Sequence, residues 1–267
     1  MTLSGDCVAY WKLDGDATDS VGSMDGTVTG ASDSASGLIN HCYSFDGSDD
    51  KIAFGSVNGI KSISIWFKPN SNITTTVYMG LMGENNDAVI QLFLGGNIDS
   101  NLTNEMVSWC QGAATGYFWM NSTGLGSSSF SSAAWHHLVF VWVSASSTYR
   151  CYYNGSDRGL MTVRDSAVEF PNWTSFRIGR GGVRNFTGLI DEVALFSTSI
   201  TAANVATIYN GGAGLQYPFG DVTGTNCQIN IGDAWKAVSA AQINIGDAWK
   251  TVAGMKINIG DDWKTIF

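Results

Sequence analysis

Basic residues are scarce. Lys and Arg number 14 against 23 Asp and Glu in 267 residues, a formal net charge of −9. No basic patch is available to displace counterions from phosphate, so nucleic acid is excluded as the expected partner. Proline is rarer still, at three residues. No run of about 18 apolar residues occurs, so no membrane insertion is expected. The opening stretch, MTLSGDCVAYWKLDG, has neither a basic region nor an apolar one, and no secretory signal peptide is expected. The five cysteines, Cys7, Cys42, Cys110, Cys151 and Cys227, are odd in number and form no CxxC. That pattern argues against a zinc site or a disulfide framework, and fits free thiols made in a reducing cytosol. Also missing are a Gly-x-Ser-x-Gly elbow, a phosphate loop and an EF-hand loop.

What fills the chain instead is glycine, 32 residues, and aromatics at 12%. This composition suits short strands joined by tight turns rather than helices. Alternating apolar runs are visible in SISIWFKP (62–69), AVIQLFLGG (88–96), WHHLVFVWV (135–143), TYRCYYNG (148–155) and FRIG (176–179). Their spacing predicts an antiparallel β-sandwich of jelly-roll type. One helix is predicted within 199–212, capped by Thr201 and stopped at Gly211. Trp66 and Trp135 are expected in the core. The neighbours His136 and His137 should face opposite ways, one half-buried and one towards solvent.

The tail is an internal repeat. QINIGDAWKAVSAA, QINIGDAWKTVAGM and KINIGDDWKTIF place Ile229, Ile243 and Ile257 14 residues apart, and Trp235, Trp249 and Trp263 likewise. Each repeat reads as a hairpin turning on Gly-Asp. With that loop, Asn230 pairs with Trp235 and Ile229 with Lys236; a one-residue slip would reverse the tryptophan face. A single hairpin cannot bury a core, so the repeats are expected to pack with one another or with copies of the chain. The domain expectation is a jelly roll over 1–212, a linker over 213–226 and three hairpin repeats over 227–267.

Seven blocks occur in an order that resembles the laminin G-like, concanavalin A-like superfamily. They are VAYWKLDGDATDSVGSMDGTVTG (8–30), YSFDGSDDKIAFG (43–55), SISIWFKP, WHHLVFVW, CYYNGSDRG, FRIGRG and NFTGLIDEVALFSTSIT. The resemblance implies a lectin-like jelly roll. It speaks to fold more than to function, since the fold carries many activities.

The same superfamily contains retaining glucanases, which need two carboxyl groups about 5–5.5 Å apart. The nearest pair, Asp191-Glu192, are strand neighbours expected on opposite faces, so no enzyme activity is expected. A calcium site is the positive expectation: Asp14, Asp16 and Asp19 lie in the first turn, which the resemblance brings near Asp191. Asp46, Asp49 and Asp50 are a second acidic cluster. The competing reading is that these residues cap turns by accepting backbone N–H bonds. Candidate glycan contacts are Trp109, Tyr117, Trp119, Trp173 and Arg184; the competing reading of each is a packed aromatic or a solvated loop residue.

The Ile-x-Ile-Gly-x-x-Trp-Lys-x-Val repeats resemble C-terminal repeats of tail and other structural proteins of bacteriophages. Together with a lectin-like sandwich they imply a virion surface protein, made in the host cytoplasm, as a tail fibre or capsid decoration. Its expected partners are other virion proteins, copies of itself in a homo-oligomer with a trimer favoured, and cell-surface polysaccharide. The alternative is a bacterial surface or exported carbohydrate-binding module.

Overall fold

The computed structural model describes residues 2–73, 79–84, 91–94, 107–111, 118–121, 125, 130–163, 169–170, 172–181 and 184–219, and the tail strands at 228–230, 235–237, 242–245, 248–251, 256–259 and 262–265. Two units are distinguished, Met1–Phe219 and Gly220–Phe267.

In the first unit the strands are β1 (Cys7–Trp11), β2 (Thr27–Thr29), β3 (Ser32–Ser34), β4 (Cys42–Asp46), β5 (Lys51–Val57), β6 (Ser62–Pro69), β7 (Met79–Gly83), β8 (Gln91–Leu94) and β9 (Val107–Gln111). They continue as β10 (Phe118–Asn121), β11 (His136–Val143), β12 (Thr148–Tyr153), β13 (Ser156–Leu160), β14 (Thr162–Val163), β15 (Trp173–Ile178), β16 (Arg180–Gly181), β17 (Arg184–Asn185) and β18 (Thr187–Phe196). The helices are α1 (Leu3–Asp6) and α2 (Ala202–Tyr209). One antiparallel sheet runs β13-β12-β11-β6-β18-β4-β3, with β1 also on β18; the other runs β14-β10-β9-β8-β7-β15-β5-β2.

Alternation explains the layering. Ile63, Ile65 and Phe67 of β6 meet Ile52, Phe54, Ile178 and Leu92 of the second sheet in one core, joined by Phe45, Leu138, Phe140, Ile190 and Val193. Trp11 stacks on Phe54 there, at 3.8 Å between ring centroids.

The other face of the first sheet is also buried, and this is where expectation and structure part. Tyr10, Val139, Val141, Tyr152, Ala194 and Phe196 form a second apolar layer with Leu3 of α1, Val205 and Ile208 of α2, and Phe219. Trp66 belongs beside this layer rather than between the sheets: its ring lies 4.5 Å from His137 and 5.6 Å from Tyr209 of α2. His136 and His137 do point to opposite faces, but both faces are closed, so both imidazoles are buried. His137 Nε2 meets Ser64 Oγ at 2.8 Å, and burial pushes its pKa down to about 3. Trp135 precedes β11 and is half-buried, not a core residue.

Helix α2 is shorter than the stretch read for it. Thr201 and Asn204 form a capping box, and the helix ends where Asn210 turns left-handed at φ +48°. Residues 213–219, within the stretch expected to be a linker, pack on the sandwich: Leu215 and Tyr217 contact the second apolar layer and Phe219 is part of it.

In the second unit, β19 (Gln228–Asn230) pairs with β20 (Trp235–Ala237), β21 (Gln242–Ile245) with β22 (Ala248–Thr251), and β23 (Lys256–Ile259) with β24 (Asp262–Thr265). Ile229 stands opposite Lys236, Ile243 opposite Lys250 and Ile257 opposite Lys264. Asn230, Asn244 and Asn258 stand opposite Trp235, Trp249 and Trp263.

Candidate functional site

The acids of β18 do not alternate. Ile190 and Val193 both reach the core between the sheets, so the two residues between them, Asp191 and Glu192, are set out on the other side together. The cause is a β-bulge: the pairing of β18 with β6 shifts between Asp191 and Ala194, and Glu192 adopts φ +49°. The expectation of opposite faces is thereby corrected. Both carboxyl groups lie beneath the segments that cover the first sheet.

Asp191 Oδ2 accepts the backbone N–H groups of Leu38 at 2.8 Å and Ile39 at 3.3 Å, and its Oδ1 accepts that of Glu192 at 3.0 Å. Gln216 Nε2 donates to Glu192 Oε1 at 2.7 Å and to Asp14 Oδ2 at 3.0 Å. Asp14 also accepts the backbone N–H of His41 at 3.0 Å and the Asn40 side-chain amide at 3.2 Å. Glu192 Oε2 is buried with no hydrogen-bond partner. Burial pushes the Asp191 carboxyl up to about 8 and nearby Asp14 adds to the rise, while the three N–H bonds pull the other way. Burial likewise pushes Glu192 up to about 8, with only the Gln216 amide opposing it.

The rest of the expected calcium set turns inward on the backbone. Asp16 Oδ1 accepts the N–H of Thr18 at 2.9 Å. Asp19 is buried and accepts three: Tyr10 and Val21 on Oδ1 and Met24 on Oδ2, each at 3.0 Å. These N–H donors present positive ends where a cation would sit. Asp14, Asp16, Asp19 and Asp191 therefore do not fit a preformed calcium site. Among the described residues, the three carboxylates whose ligand atoms come within 4.8 Å of one another are Asp46, Asp49 and Asp50. They too serve a turn: Asp50 Oδ2 accepts the N–H of Asp46 and Asp46 Oδ1 that of Ser48, both at 2.7 Å.

The glycan candidates are scattered. Trp173 is fully buried, 5.1 Å from Phe176 and 5.8 Å from Phe170 between ring centroids, so it is a core residue and not a stacking platform. Arg184 is exposed on β17. Tyr117 lies outside the described residues. Trp109 and Trp119 are placed by register. One row across the second sheet reads Val28, Ile52, Ile178, Met82, Leu92, Trp109, Met120, Val163, and its members Ile52, Ile178, Met82 and Leu92 are core residues. The adjacent row, on the outer face, runs Thr27, Ala53, Arg177, Gly83. On the far strands Trp119 stands opposite Cys110, and Cys110 opposite Gln91.

Two residues of this outer face escaped the sequence reading. Arg177 Nη2 donates to the Glu84 carbonyl at 3.0 Å, and Glu84 Oε1 accepts both the backbone N–H and the hydroxyl of Thr174. The position of Arg177 between Phe176 and Ile178 was the available signal, since alternation puts it opposite two core residues. Thr27, Thr29, Gly55, Ser56 and Thr174 around it are exposed. Small residues and hydroxyls on a pleated surface suit a ligand whose own surface is hydroxyl groups.

The architecture of the first unit is an antiparallel all-β sandwich, with α1, α2 and residues 215–219 closing one face. The chain belongs to the concanavalin A-like lectin/glucanases superfamily, whose sequence profile matches residues 46–206, more than half of its length. No curated protein sequence matches it. Among solved structures it is similar to domain 4 of AbnA, a GH43 extracellular arabinanase from Geobacillus stearothermophilus, in complex with arabinotriose. That match has 20% identity, covers 78% of this chain and 98% of that one, and gives a TM-score of 0.59. It is also similar to the botulinum neurotoxin serotype D ligand-binding domain in complex with N-acetylneuraminic acid, at 13% identity and a TM-score of 0.54, covering 79% of this chain and 52% of that one. At such identities the likeness is one of fold.

Proposed function

We propose that the chain is a non-catalytic glycan-binding protein of a bacteriophage virion surface, a tail fibre or capsid decoration. The sandwich recognises carbohydrate and the C-terminal repeats attach or assemble it as a homo-oligomer, with a trimer favoured. The observation that carries this reading is the joining, in one chain, of a concanavalin A-like sandwich to three INIGDxWK-type repeats. Support for a binding role comes from two neighbours of the same fold whose structures hold arabinotriose and N-acetylneuraminic acid. Support for a non-catalytic role comes from Asp191 and Glu192, the one adjacent acid pair of the superfamily-like strand. Residues 38–39 and Gln216 bond to these acids, which are buried.

A second reading, an exported carbohydrate-binding module, is favoured by the near-complete coverage of the arabinanase domain. The test is a glycan array carrying arabino-oligosaccharides and sialylated glycans, probed with the full chain with and without calcium. Binding without hydrolysis is expected. Absence of any binding, or release of reducing sugar, would defeat the proposal. Light scattering on the full chain and on residues 1–226 separates the two readings: a trimer that reverts to a monomer on truncation supports the virion role, and a monomer in both supports the module.

A further inference from the structure

Asn-Gly dipeptides occur at Asn58-Gly59, Asn154-Gly155 and Asn210-Gly211, and all lie among the described residues. An asparagine amide is most open to attack by the next backbone nitrogen when glycine follows, because no Cβ crowds the approach. What differs between the three is how each asparagine is held. Asn154 lies in the turn between β12 and β13. Its Oδ1 accepts the His137 N–H at 2.9 Å, and its own N–H bonds the His137 carbonyl at 2.9 Å. Gly155 beside it packs against the Tyr209 ring. Asn210 ends α2, and its Nδ2 donates to the Gly214 carbonyl at 2.8 Å. Both asparagines hold left-handed backbone, at φ +48°.

Asn58 is held by nothing comparable. It is exposed, in the link over 58–61 that takes the chain from β5 in the second sheet to β6 in the first. Among the described residues, neither its side-chain amide nor the Gly59 N–H has a hydrogen-bond partner. A Cβ at Gly59 would meet nothing within 4 Å, so this turn has room to move. The ends of the link are fixed by contrast. Val57 and Ile60 are core residues, each 1% exposed, and the Lys61 N–H bonds the Phe196 carbonyl at 2.9 Å.

We infer that Asn58 is a self-modification site, at which the folded chain deamidates in preference to its other Asn-Gly pairs. The Gly59 nitrogen gives its proton to hydroxide and attacks Asn58 Cγ. The N–Cγ bond forms and the Cγ–Nδ2 bond breaks. Ammonia leaves, its last proton taken from water, and a five-membered succinimide remains. Water then opens the ring. Hydrolysis of the new N–Cγ bond gives an ordinary aspartyl residue. Hydrolysis of the original peptide bond gives an isoaspartyl linkage. Either product carries one more negative charge than the parent. The isoaspartyl form also adds one atom to the main chain, in a link bounded by core residues. The site is independent of what the sandwich binds.

Timed incubation of the full chain at mildly alkaline pH, read by mass spectrometry of tryptic peptides, is the test. Peptide 52–61 carries Asn58 as its single asparagine, and peptide 151–158 carries Asn154 as its own. Fragment ions locate Asn210 within peptide 185–236. Replacement of the amide by a carboxyl should appear at Asn58 at least about tenfold faster than at Asn154 or Asn210, where a side-chain hydrogen bond must first open. Peptide 52–61 should yield two products of equal mass that separate on a column, the aspartyl and isoaspartyl forms. In urea the three sites should react at similar rates, since each is then an unstructured Asn-Gly. Asn58→Gln, one exposed amide for another, should abolish the change, because its ring would have to close with six members. The inference is overturned if Asn58 stays intact in the folded chain while the urea-unfolded chain converts it, or if Asn154 or Asn210 reacts as fast as Asn58 in the folded chain. It is overturned too if the preference for Asn58 persists in urea, which would place its cause in the sequence and not in the fold.

Discussion

Trp66 and Tyr209 lie almost parallel, 6° between ring planes and 5.6 Å between centroids, and through this stack α2 is seated on the first sheet. His137 joins it, 15° from the Tyr209 plane. The helix is only Ala202–Tyr209, too short to be stable by itself. Its place depends on what it covers, and Tyr209 covers an indole and an imidazole that would otherwise face water.

Truncating that ring should therefore be costly. Tyr209→Ala is expected to destabilise the sandwich by about 2–4 kcal/mol, in the range for losing a large side chain from a packed site. Tyr209→Phe should change it by less than about 0.5 kcal/mol. Gly155 gives a second handle. It adopts φ +73°, and a Cβ there would lie 2.5 Å from the Tyr209 ring. Gly155→Ala should destabilise through both strain and displacement of Tyr209. Urea unfolding followed by tryptophan fluorescence measures all three. A Tyr209→Ala protein as stable as wild type would mean the stack contributes nothing.

The buried acids predict a pH dependence with a definite sign. In the folded chain Asp191 and Glu192 keep their protons up to about pH 8, whereas their ordinary values are 3.8 and 4.5. Between those limits the folded state binds more protons than the unfolded one. Stability is then greatest below the unfolded values and falls as pH rises towards 8, by about 1.4 kcal/mol per pH unit for each fully linked proton. His137 acts in the opposite sense, since its pKa is lowered to about 3: the folded state resists protonation, and stability falls as pH drops below the ordinary 6.5. From pH 6.5 to 8 the histidine no longer contributes, so the carboxyl slope is seen there unopposed. Glu192→Gln should flatten it. Melting temperatures at half-unit steps across this interval check the sign. A wild-type curve that rises there would contradict it.

Asp19, a candidate calcium ligand or turn cap on its sequence, accepts three backbone N–H groups. Two consequences follow for one residue. Asp19→Ala leaves three donors in the first turn without an acceptor, at a cost of about 2–4 kcal/mol. Chelator should leave the melting temperature of the wild type unchanged as far as this turn is concerned. A calcium-induced rise in melting temperature that Asp19→Ala abolishes would restore the metal reading.

The layering of the sandwich was legible because alternation is a local property: SISIWFKP announces a strand with Ile63, Ile65 and Phe67 on one side whatever lies elsewhere. What was not legible is non-local. Nothing in WHHLVFVW says that the face carrying His137 is roofed by a helix some 65 residues on, so a solvent-facing histidine was the natural expectation. The bulge at Asp191-Glu192 has no signature in LIDEVALF, because a residue of any kind can be the extra one when a partner strand demands it. A simple period of two put the acids on opposite faces, and the shift in pairing with β6 put them together. Gln216 lay in a segment read as a linker, and only the folded chain shows it reaching two acids far apart in sequence.

Trp173 and Trp119 offer the sharpest separation of core from candidate ligand surface. Trp173 is fully buried against Phe170 and Phe176, so Trp173→Ala is expected to cost about 3–5 kcal/mol and to reduce glycan binding only by unfolding the protein. Trp119 of β10 stands opposite Cys110 of β9. Trp119→Ala should leave the melting temperature within about 2 °C of wild type, as for a surface change within about 0.5 kcal/mol, and should weaken glycan binding about tenfold or more, the loss expected when an aromatic stacking surface is removed. Titration calorimetry with the best array ligand, beside thermal melts, reads both properties on the same samples. If Trp119→Ala binds as wild type, Trp119 is not part of the glycan surface; if it melts with Trp173→Ala, position 119 belongs to the core.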